Sequence, residues 1–202
     1  PQQQAGYSRV SVAVPLGDIR AEQLRTLSRL ARRYGNGRVQ LTAEQDVELH
    51  WVKTSRVKPL ARALEQAGLW VKGTKGGLTH IGACPGTEFC VLAVTNSQGA
   101  VRDIGRSPLL AEWATESARS AWLRDSSLQI SGCPNSCAKQ QVADIGLVGS
   151  MTVVNEERRY SYLMTVGGYL GETSGDVRLG EAVRKGITED RVTPAVEALV
   201  DV

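Results

Sequence analysis

The chain contains four cysteines in two closely spaced pairs, and thiolates are ligands for metal ions and iron-sulfur clusters. The segment GACPGTEFC places five residues between Cys84 and Cys90, and SGCPNSCAK places three between Cys133 and Cys137. A [4Fe-4S] cube takes one thiolate on each iron, so two short loops that each deliver two cysteines can surround it. Turn formers occupy both loops, which would let backbone amides point at the sulfides: Pro85, Gly86, Gly132, Pro134 and Asn135. The spacing therefore favours an iron-sulfur site.

Three other interpretations of the cysteines stay open at this point. A structural zinc site commonly spaces its cysteines by two to four residues, which suits the second pair, whereas the first pair is too wide. Two disulfides would need an oxidising compartment, and the N-terminus has neither the basic nor the hydrophobic region of a secretory signal. The cysteines could also lie unpaired in a core.

Composition and charge indicate a globular protein but exclude few functions. The chain has 202 residues, of which 42% are hydrophobic, so it can build an ordinary globular core. Its net charge of +3 is too small and too scattered to indicate nucleic acid, although it is compatible with an anionic ligand. No apolar run approaches a membrane span, so we expect no membrane partner and a cytoplasmic location. Because the chain begins at Pro1 rather than at methionine, we expect a processed or excised piece of something longer.

The first part of the chain predicts a β-α-β-β-α order over residues 8–68. Val10, Val12 and Val14 alternate as in a strand, and Leu24, Leu27 and Leu30 recur at helical spacing before Gly35. The segment GRVQLTAEQDVELHWV then predicts a hairpin, and RVKPLARALEQAG predicts a second amphipathic helix. We therefore expect an antiparallel sheet with both helices on one face, in a domain of residues 1–72.

Glycines in VKGTKGGLTH interrupt this pattern and indicate a boundary near residues 70–78. The second domain, residues 73–202, contains all four cysteines. Its segments predict a helix in LLAEWATESARSAWL, strands in SLQIS, VADIGLVGSMTVV and YSYLMTVGG, and a terminal helix in TPAVEALVDV.

The second cysteine segment resembles the signature of the siroheme-containing nitrite and sulfite reductases. In SGCPNSCAKQQVADIGLVG, a small residue and glycine precede Cys133, and six residues separate Cys137 from Asp144, Ile145, Gly146 and Leu147. The segment ACPGTEFC is similar to the first cysteine pair of that family, in the form common in ferredoxin-dependent nitrite reductases and some sulfite reductases. The likeness extends from VPLGDIRAEQLRTLSRLARRYGNGRVQLTAEQDVELH to LMTVGGYLG, and so covers nearly the whole chain. It implies an α+β fold: a ferredoxin-like half-domain followed by an α+β domain that binds siroheme and a [4Fe-4S] cluster.

The resemblance also implies a mechanism and a set of site residues. Cys84, Cys90, Cys133 and Cys137 would ligate the cluster, and the Cys137 thiolate would bridge it to the siroheme iron. Electrons from ferredoxin or another low-potential donor would reduce nitrite to ammonia, or sulfite to sulfide. Siroheme carries many carboxylates, so polar side chains and amide-rich turns are its expected contacts. The candidates, each of which also fits an ordinary hairpin, cap or turn residue, are Thr42, Gln45, Asn135, Lys139, Gln141, Gly167 and Gly168.

Family members consist of two homologous halves, and this chain resembles only the second. The first half characteristically carries arginines at the positions of Gln40 and Glu44, so we assign neither residue to binding of the substrate anion. A homologous first-half chain or segment, or a second copy in a homodimer, would supply most of the anion pocket. In a homodimer the first anion-binding candidates are Lys53, Lys72 and Lys75.

Neither histidine of the chain shows a catalytic pattern. His50 and His80 both lack a nearby carboxylate or nucleophile that would indicate a triad.

Besides nitrite and sulfite reduction, two further functions remain: a precorrin-processing oxygenase related to this family, and a non-catalytic subunit that scaffolds or relays electrons for an active partner.

Overall fold

A computed structural model describes residues 3–72, 81–108, 126–170 and 176–200. The chain divides into two compact units, Pro1–Lys75 and Gly76–Val202. The expected boundary between residues 72 and 73 stays a prediction, because residues 73–80 lie outside the described ranges.

The first unit has the predicted β-α-β-β-α order, extended by one short strand. In chain order its elements are β1 (Tyr7–Ala13), α1 (Ala21–Tyr34), β2 (Val39–Leu41), β3 (Val47–Lys53), α2 (Val57–Gln66) and β4 (Trp70–Val71). The sheet order is β2-β3-β1-β4, with antiparallel pairing throughout.

Both helices pack on the same face of this sheet, as predicted. Val10 pairs with Leu49 and Val12 with Val47, so these four side chains point to one side. Four leucines of the predicted repeats are buried in the same cluster, Leu27 and Leu30 of α1 and Leu60 and Leu64 of α2. Leu24, which the α1 repeat also included, is instead 49% exposed. Burial of apolar surface on this one face is the main stabilising term of the unit.

A buried carboxylate ties the turn before β3 to two other parts of the first unit. Asp46 is only 7% exposed. Its Oδ1 accepts a hydrogen bond of 2.9 Å from the Val14 amide, and its Oδ2 lies 2.6 Å from Lys72 Nζ. The buried charge is therefore both hydrogen-bonded and paired, as a stable buried carboxylate requires.

The second unit contains a mixed sheet whose order is β5-β6-β7-β8-β9. The pairs β5-β6 and β6-β7 are parallel, and β7-β8 and β8-β9 are antiparallel. The described elements are β5 (Ile81–Ala83), α3 (Ser97–Ile104), β6 (Leu128–Ser131), β7 (Ile145–Val154), β8 (Glu157–Val166), β9 (Glu181–Thr188) and α4 (Val192–Val200).

These elements confirm most of the expected pattern and add to it. Strands β6, β7 and β8 and helix α4 fall on the predicted segments, whereas β5, α3 and β9 were not predicted. The helix predicted in LLAEWATESARSAWL lies outside the described residues. Two sheets with helices set beside them confirm the α+β class. Among the described helices, none is long and apolar enough to cross a membrane.

Candidate functional site

The first cysteine of each pair follows one of two neighbouring parallel strands. Ala83, the last residue of β5, pairs with Ile130 of β6. Cys84 comes directly after β5, and Cys133 comes two residues after the end of β6. The first cysteine loop (residues 84–96) joins β5 to α3, and the second cysteine loop (residues 132–144) joins β6 to β7. Because parallel strands end at the same edge of a sheet, both loops start at one edge, which is a common location for ligand sites.

Backbone hydrogen bonds join the two cysteine loops. The Gly132 amide donates to Cys84 Sγ at 3.1 Å, so the second loop contacts a sulfur of the first. In return, the Gly132 carbonyl accepts from the amides of Val94 and Thr95 at 2.8 and 3.0 Å. The structure therefore brings together the loops that the sequence predicted to share one cluster, and a sulfur that accepts an amide hydrogen bond is a known means of tuning such a site.

Glycines permit this close approach of main chain to main chain. A Cβ added at Gly132 would lie 2.9 Å from the Thr95 carbonyl oxygen and 3.1 Å from Gly86 Cα. One added at Gly149 of β7 would lie 2.3 Å from the Gly132 carbonyl oxygen. Gly86 has φ +61°, a conformation that favours glycine. Three glycines from separate segments thus pack the cysteine loops against the sheet edge.

The four thiols differ in their access to solvent. All are free; Cys84 and Cys133 are buried, Cys90 is partly exposed and Cys137 is exposed. Within the described ranges, no three His, Cys, Asp or Glu side chains are placed to hold one metal ion. A single zinc ion would need all its thiolates about 2.3 Å from one point, whereas a cube offers each thiolate its own iron. Four free thiols on two joined loops are a donor set that fits the cube.

The acidic and glycine residues of the signature have structural roles here. Asp144 Oδ2 accepts hydrogen bonds of 2.8 Å from both the amide and the hydroxyl of Ser127, which join the starts of β6 and β7. A Cβ at Gly146 would lie 2.2 Å from the Gln140 carbonyl oxygen. These residues hold the chain segment that follows Cys137 against the sheet.

The predicted siroheme contacts of the second unit lie on and beside the second cysteine loop. Asn135, Lys139 and Gln141 are exposed on this loop. The Gly167 amide donates to the Asp144 carbonyl at 2.9 Å, and a Cβ at Gly168 would lie 2.5 Å from the carbonyl oxygen of Ala143. The end of β8 therefore adjoins the end of this loop. A cation, two amide side chains and two glycines on and beside one loop are groups that suit a carboxylate-rich ligand.

The two predicted siroheme contacts of the first unit lie in the turn between β2 and β3. Thr42 Oγ1 accepts from the amides of Glu44 and Asp46 at 3.3 and 3.2 Å, as a turn-forming threonine does. Gln45 adopts φ +65° in the same turn. These contacts agree with the ordinary turn interpretation, and binding of siroheme by either residue stays a prediction.

The remaining polar candidates have varied surroundings. Gln40, Glu44 and Lys53 are exposed, whereas Lys72 is paired with Asp46, which offsets the charge expected to attract an anion. Lys75 and His80 lie outside the described residues. The expectation that His50 has no nearby carboxylate was wrong. Its Nε2 lies 2.9 Å from Glu48 Oε2, because residues two apart on β3 share a face.

A charged pair lies on the first cysteine loop. Arg102 of α3 donates a hydrogen bond to the carboxylate of Glu88, two residues before Cys90. This bond holds the pKa of Glu88 below its usual range. The pair anchors the loop to α3 by side chains.

Sequence reasoning missed two buried residues that hold the second cysteine loop, Ser131 and Gln140. They are 0% and 3% exposed, and Ser131 Oγ donates to Gln140 Oε1 at 2.5 Å. Serine and glutamine are usually exposed, so no pattern in the sequence indicated that these two side chains are buried.

Two family models match the chain. Residues 1–67 match the nitrite/sulfite reductase ferredoxin-like half domain, and residues 75–202 match the nitrite and sulphite reductase 4Fe-4S domain. The chain belongs to the nitrite and sulfite reductase family. The second match contains all four cysteines, and the first confirms the predicted ferredoxin-like half-domain. Members of this family are oxidoreductases that carry a [4Fe-4S] cluster and siroheme.

Similar proteins include both nitrite and sulfite reductases. The chloroplastic ferredoxin–nitrite reductase of Arabidopsis thaliana is 29% identical over 99% of this chain and 32% of its own length. Sulfite reductase [ferredoxin] 2 of Mycolicibacterium paratuberculosis is 30% identical over 95% of this chain and 34% of its own length. The solved structure of the Mycobacterium tuberculosis NirA protein has a TM-score of 0.73 and 26% identity, over 100% of this chain and 37% of that one. The chain thus spans about a third of the length of the curated relatives it matches.

Proposed function

We propose that this chain is the cluster- and siroheme-binding part of a nitrite reductase that converts nitrite to ammonia. The observation that carries the proposal is the junction of the two cysteine loops at Gly132, whose amide donates to Cys84 Sγ. This bond joins the backbone beside Cys133 to the sulfur of Cys84, inside the segment that matches the 4Fe-4S domain, and it supports a cluster shared by the two loops. Ferredoxin or another low-potential donor would supply the six electrons, in line with the names of the similar nitrite reductases.

The chain's own residues would divide the work of holding the two cofactors. Cys84, Cys90, Cys133 and Cys137 would ligate the cluster. Cys137, the exposed thiol of the four, would also reach the siroheme iron. When bound, these cofactors supply electron transfer and an iron that binds the substrate anion. Lys139, together with Asn135, Gln141, Gly167 and Gly168, would bind and orient the siroheme carboxylates.

A homologous half would complete the anion pocket. Gln40 is neutral and Glu44 is acidic, and a carboxylate close to nitrite would repel it. The charge of Lys72 is already paired with Asp46. We therefore place the substrate-binding cations on another chain or segment, in preference to a second copy of this chain.

Sulfite is the second candidate substrate. The sulfite reductase of Mycolicibacterium paratuberculosis matches this chain at 30% identity, much as the nitrite reductases do. Turnover of nitrite and of sulfite by the purified complex, with a reduced dye as donor, separates the two. Clear preference for sulfite would replace nitrite reduction as the function.

The decisive experiment examines the complete protein, purified with any homologous chain that accompanies it. We expect siroheme absorption, about four irons per cluster and one tetrapyrrole by native mass spectrometry. Cys137→Ser should abolish nitrite turnover. Val91→Ser, which introduces a serine at a 98% exposed position beside Cys90, is the matched control and should retain both cofactors.

Other results would identify the other functions. A colourless protein with stoichiometric zinc would overturn the proposal. Full activity of the Cys137→Ser complex would indicate a non-catalytic subunit. Oxygen-dependent conversion of a corrinoid precursor would indicate the oxygenase.

A further inference from the structure

A chain of hydrogen bonds runs through the second cysteine loop. The Ala138 amide donates to Ser131 Oγ at 3.1 Å, and this hydroxyl donates to Gln140 Oε1 at 2.5 Å. Gln140 Nε2 donates to Ser136 Oγ at 2.8 Å, and this second hydroxyl donates to the Pro134 carbonyl at 3.0 Å. The Gln140 side chain therefore links the two halves of the chain of bonds.

The backbone at each end fixes the direction of every bond. Ser131 Oγ accepts from an amide, so its own proton is directed to Gln140. Ser136 Oγ donates to a carbonyl, so it is free to accept from the Gln140 amide group. A carboxamide is the side-chain group that both accepts at one end and donates at the other, which is what this position requires.

These bonds close the loop around its two cysteines. Ser131 is the last residue of β6, two residues before Cys133, and Gln140 follows Cys137 by three residues. Ser136 lies between the cysteines. Contacts among the three residues therefore fix the start, the middle and the end of the segment that carries both thiols.

The loop needs such support because its backbone is strained. Ser136 and Lys139 adopt φ values of +60° and +57°, which residues with a side chain rarely adopt. A conformation of this kind persists when its surroundings fix it. Gln140 and Ser131, at 3% and 0% exposure, provide fixed surroundings, since a buried amide that loses its partners is costly.

We infer that Gln140 is a positioning residue that holds Cys133 and Cys137 in the geometry that the cluster binds. The inference rests on the proposed function only for the identity of the ligand; the network itself belongs to the protein. Replacement of Gln140 should let the loop relax and weaken binding of the cluster by the Cys133 and Cys137 thiolates. It should also alter the surroundings of the two sulfurs.

The test compares iron release by the complete purified protein and by its Gln140→Leu variant. Loss of two hydrogen bonds of ordinary strength corresponds to about a tenfold rise in the population of the open loop. We therefore expect Gln140→Leu to release iron to a chelator about ten times faster. The electron paramagnetic resonance spectrum of the reduced cluster should also change, which a loss of global stability alone would not produce.

Two further variants test whether faster iron release comes from loss of the hydrogen-bond network. Gln129→Leu makes the same exchange on β6, outside the network, and should leave iron release and the spectrum unchanged. Ser136→Ala removes one end of the Gln140 contact and should produce a smaller rise. Ser136→Ala also removes the bond to the Pro134 carbonyl, so if the two residues act through their shared contact, iron release by the Gln140→Leu/Ser136→Ala double variant rises by less than the product of the two single effects.

The outcomes separate failure of this inference from failure of the proposed function. Iron release and a spectrum like those of the parent protein in Gln140→Leu would overturn the positioning role and leave the function intact. If the parent protein holds no cluster, alkylation of the thiols decides instead. Gln140→Leu should then raise the labelling rate of the buried Cys133 about tenfold while the exposed Cys137 labels at its original rate. An unchanged Cys133 rate would overturn the inference in that case too.

Discussion

The two units fix their polar turns by different means. In the first unit, the turn before β3 is held by a charge, since Asp46 is buried and contacts both the Val14 amide and Lys72. In the second unit, the junction between the two cysteine loops is made by neutral main-chain groups, with Gly132 both donating to Cys84 Sγ and accepting from two amides. The turn depends on a charged side chain, and the junction depends on a glycine, since a Cβ at Gly132 would lie 2.9 Å from the Thr95 carbonyl oxygen.

The two regions also differ in how closely their main chains and side chains pack. The first unit buries leucines such as Leu27 and Leu60 completely between helices and sheet. The cysteine edge is the sheet edge where the two cysteine loops start. There, Gly132 and Gly149 lie so close to carbonyl oxygens that no room is left for a Cβ. The first unit should therefore be sensitive to lost volume, and the cysteine edge to added volume.

Removing volume from the first unit should have the largest effect on stability. Leu60→Ala leaves a cavity beneath α2, and such exchanges cost about 3 kcal/mol of unfolding free energy. Hydrogen exchange followed by mass spectrometry should show the loss of protection in peptides of α1, α2 and β3. Leu41→Ala, at a residue that is 78% exposed, is the control and should change little. Unchanged protection in α1 and β3 would contradict this account of the core.

Adding one methyl group at the cysteine edge should have the next largest effect. The Cβ of Gly149→Ala would meet the Gly132 carbonyl oxygen at 2.3 Å and Thr95 Oγ1 at 2.4 Å. Overpacking of this kind costs about 2 kcal/mol. We expect weaker exchange protection of β6 and β7, and less iron in the purified protein.

A glycine without neighbours provides the control for that experiment. A Cβ at Gly6 would have no described atom within 4 Å, but φ is +80°, so Gly6→Ala meets only backbone strain of about 1 kcal/mol. Its effect should stay in the first unit. Should Gly149→Ala keep its full iron content and protection, the close approach of the main chains would not be what holds the loops.

The sequence predicted those parts of the fold that rest on repeated apolar spacing. The apolar repeats predicted the strands and helices of the first unit correctly, because each element there buries one regular face. The buried members of these repeats are Val10, Val12, Leu27, Leu30, Leu60 and Leu64. Strand β5 has only three residues, too few for a pattern, and β9 is largely exposed, with a lysine and an arginine among its residues. These strands exist because neighbouring strands offer them hydrogen bonds, which a single-sequence pattern does not record.

The candidate site was predictable at the level of residue types but not of contacts. The cysteine spacing and the resemblance identified both loops. The bond from the Gly132 amide to Cys84 joins residues 48 positions apart, and the burial of Gln140 follows from a loop conformation that no repeated spacing marks. Gly149 had no distinctive local signal, since a glycine inside a strand has several explanations. The close approach that requires it becomes evident only when β6 and β7 lie side by side.

The smallest expected effects concern the two carboxylates that organise these regions. Lys72→Met keeps most of the side-chain length but removes the charge that pairs with Asp46, at a cost of about 1 kcal/mol, since Lys72 is partly exposed. Ser127→Ala removes one of two neutral donors to Asp144, also at about 1 kcal/mol. Hydrogen exchange of the two units at low and high salt would measure both.

Salt should distinguish the two contacts although their costs are alike. At about 1 M salt the screening length falls to about 3 Å, so the cost of Lys72→Met should shrink. The cost of Ser127→Ala should stay the same, because a hydroxyl donor carries no net charge to screen. Equal salt responses would mean that Lys72 supports Asp46 through packing and hydrogen bonding alone, and charge would then not distinguish this contact from the neutral donation by Ser127 to Asp144.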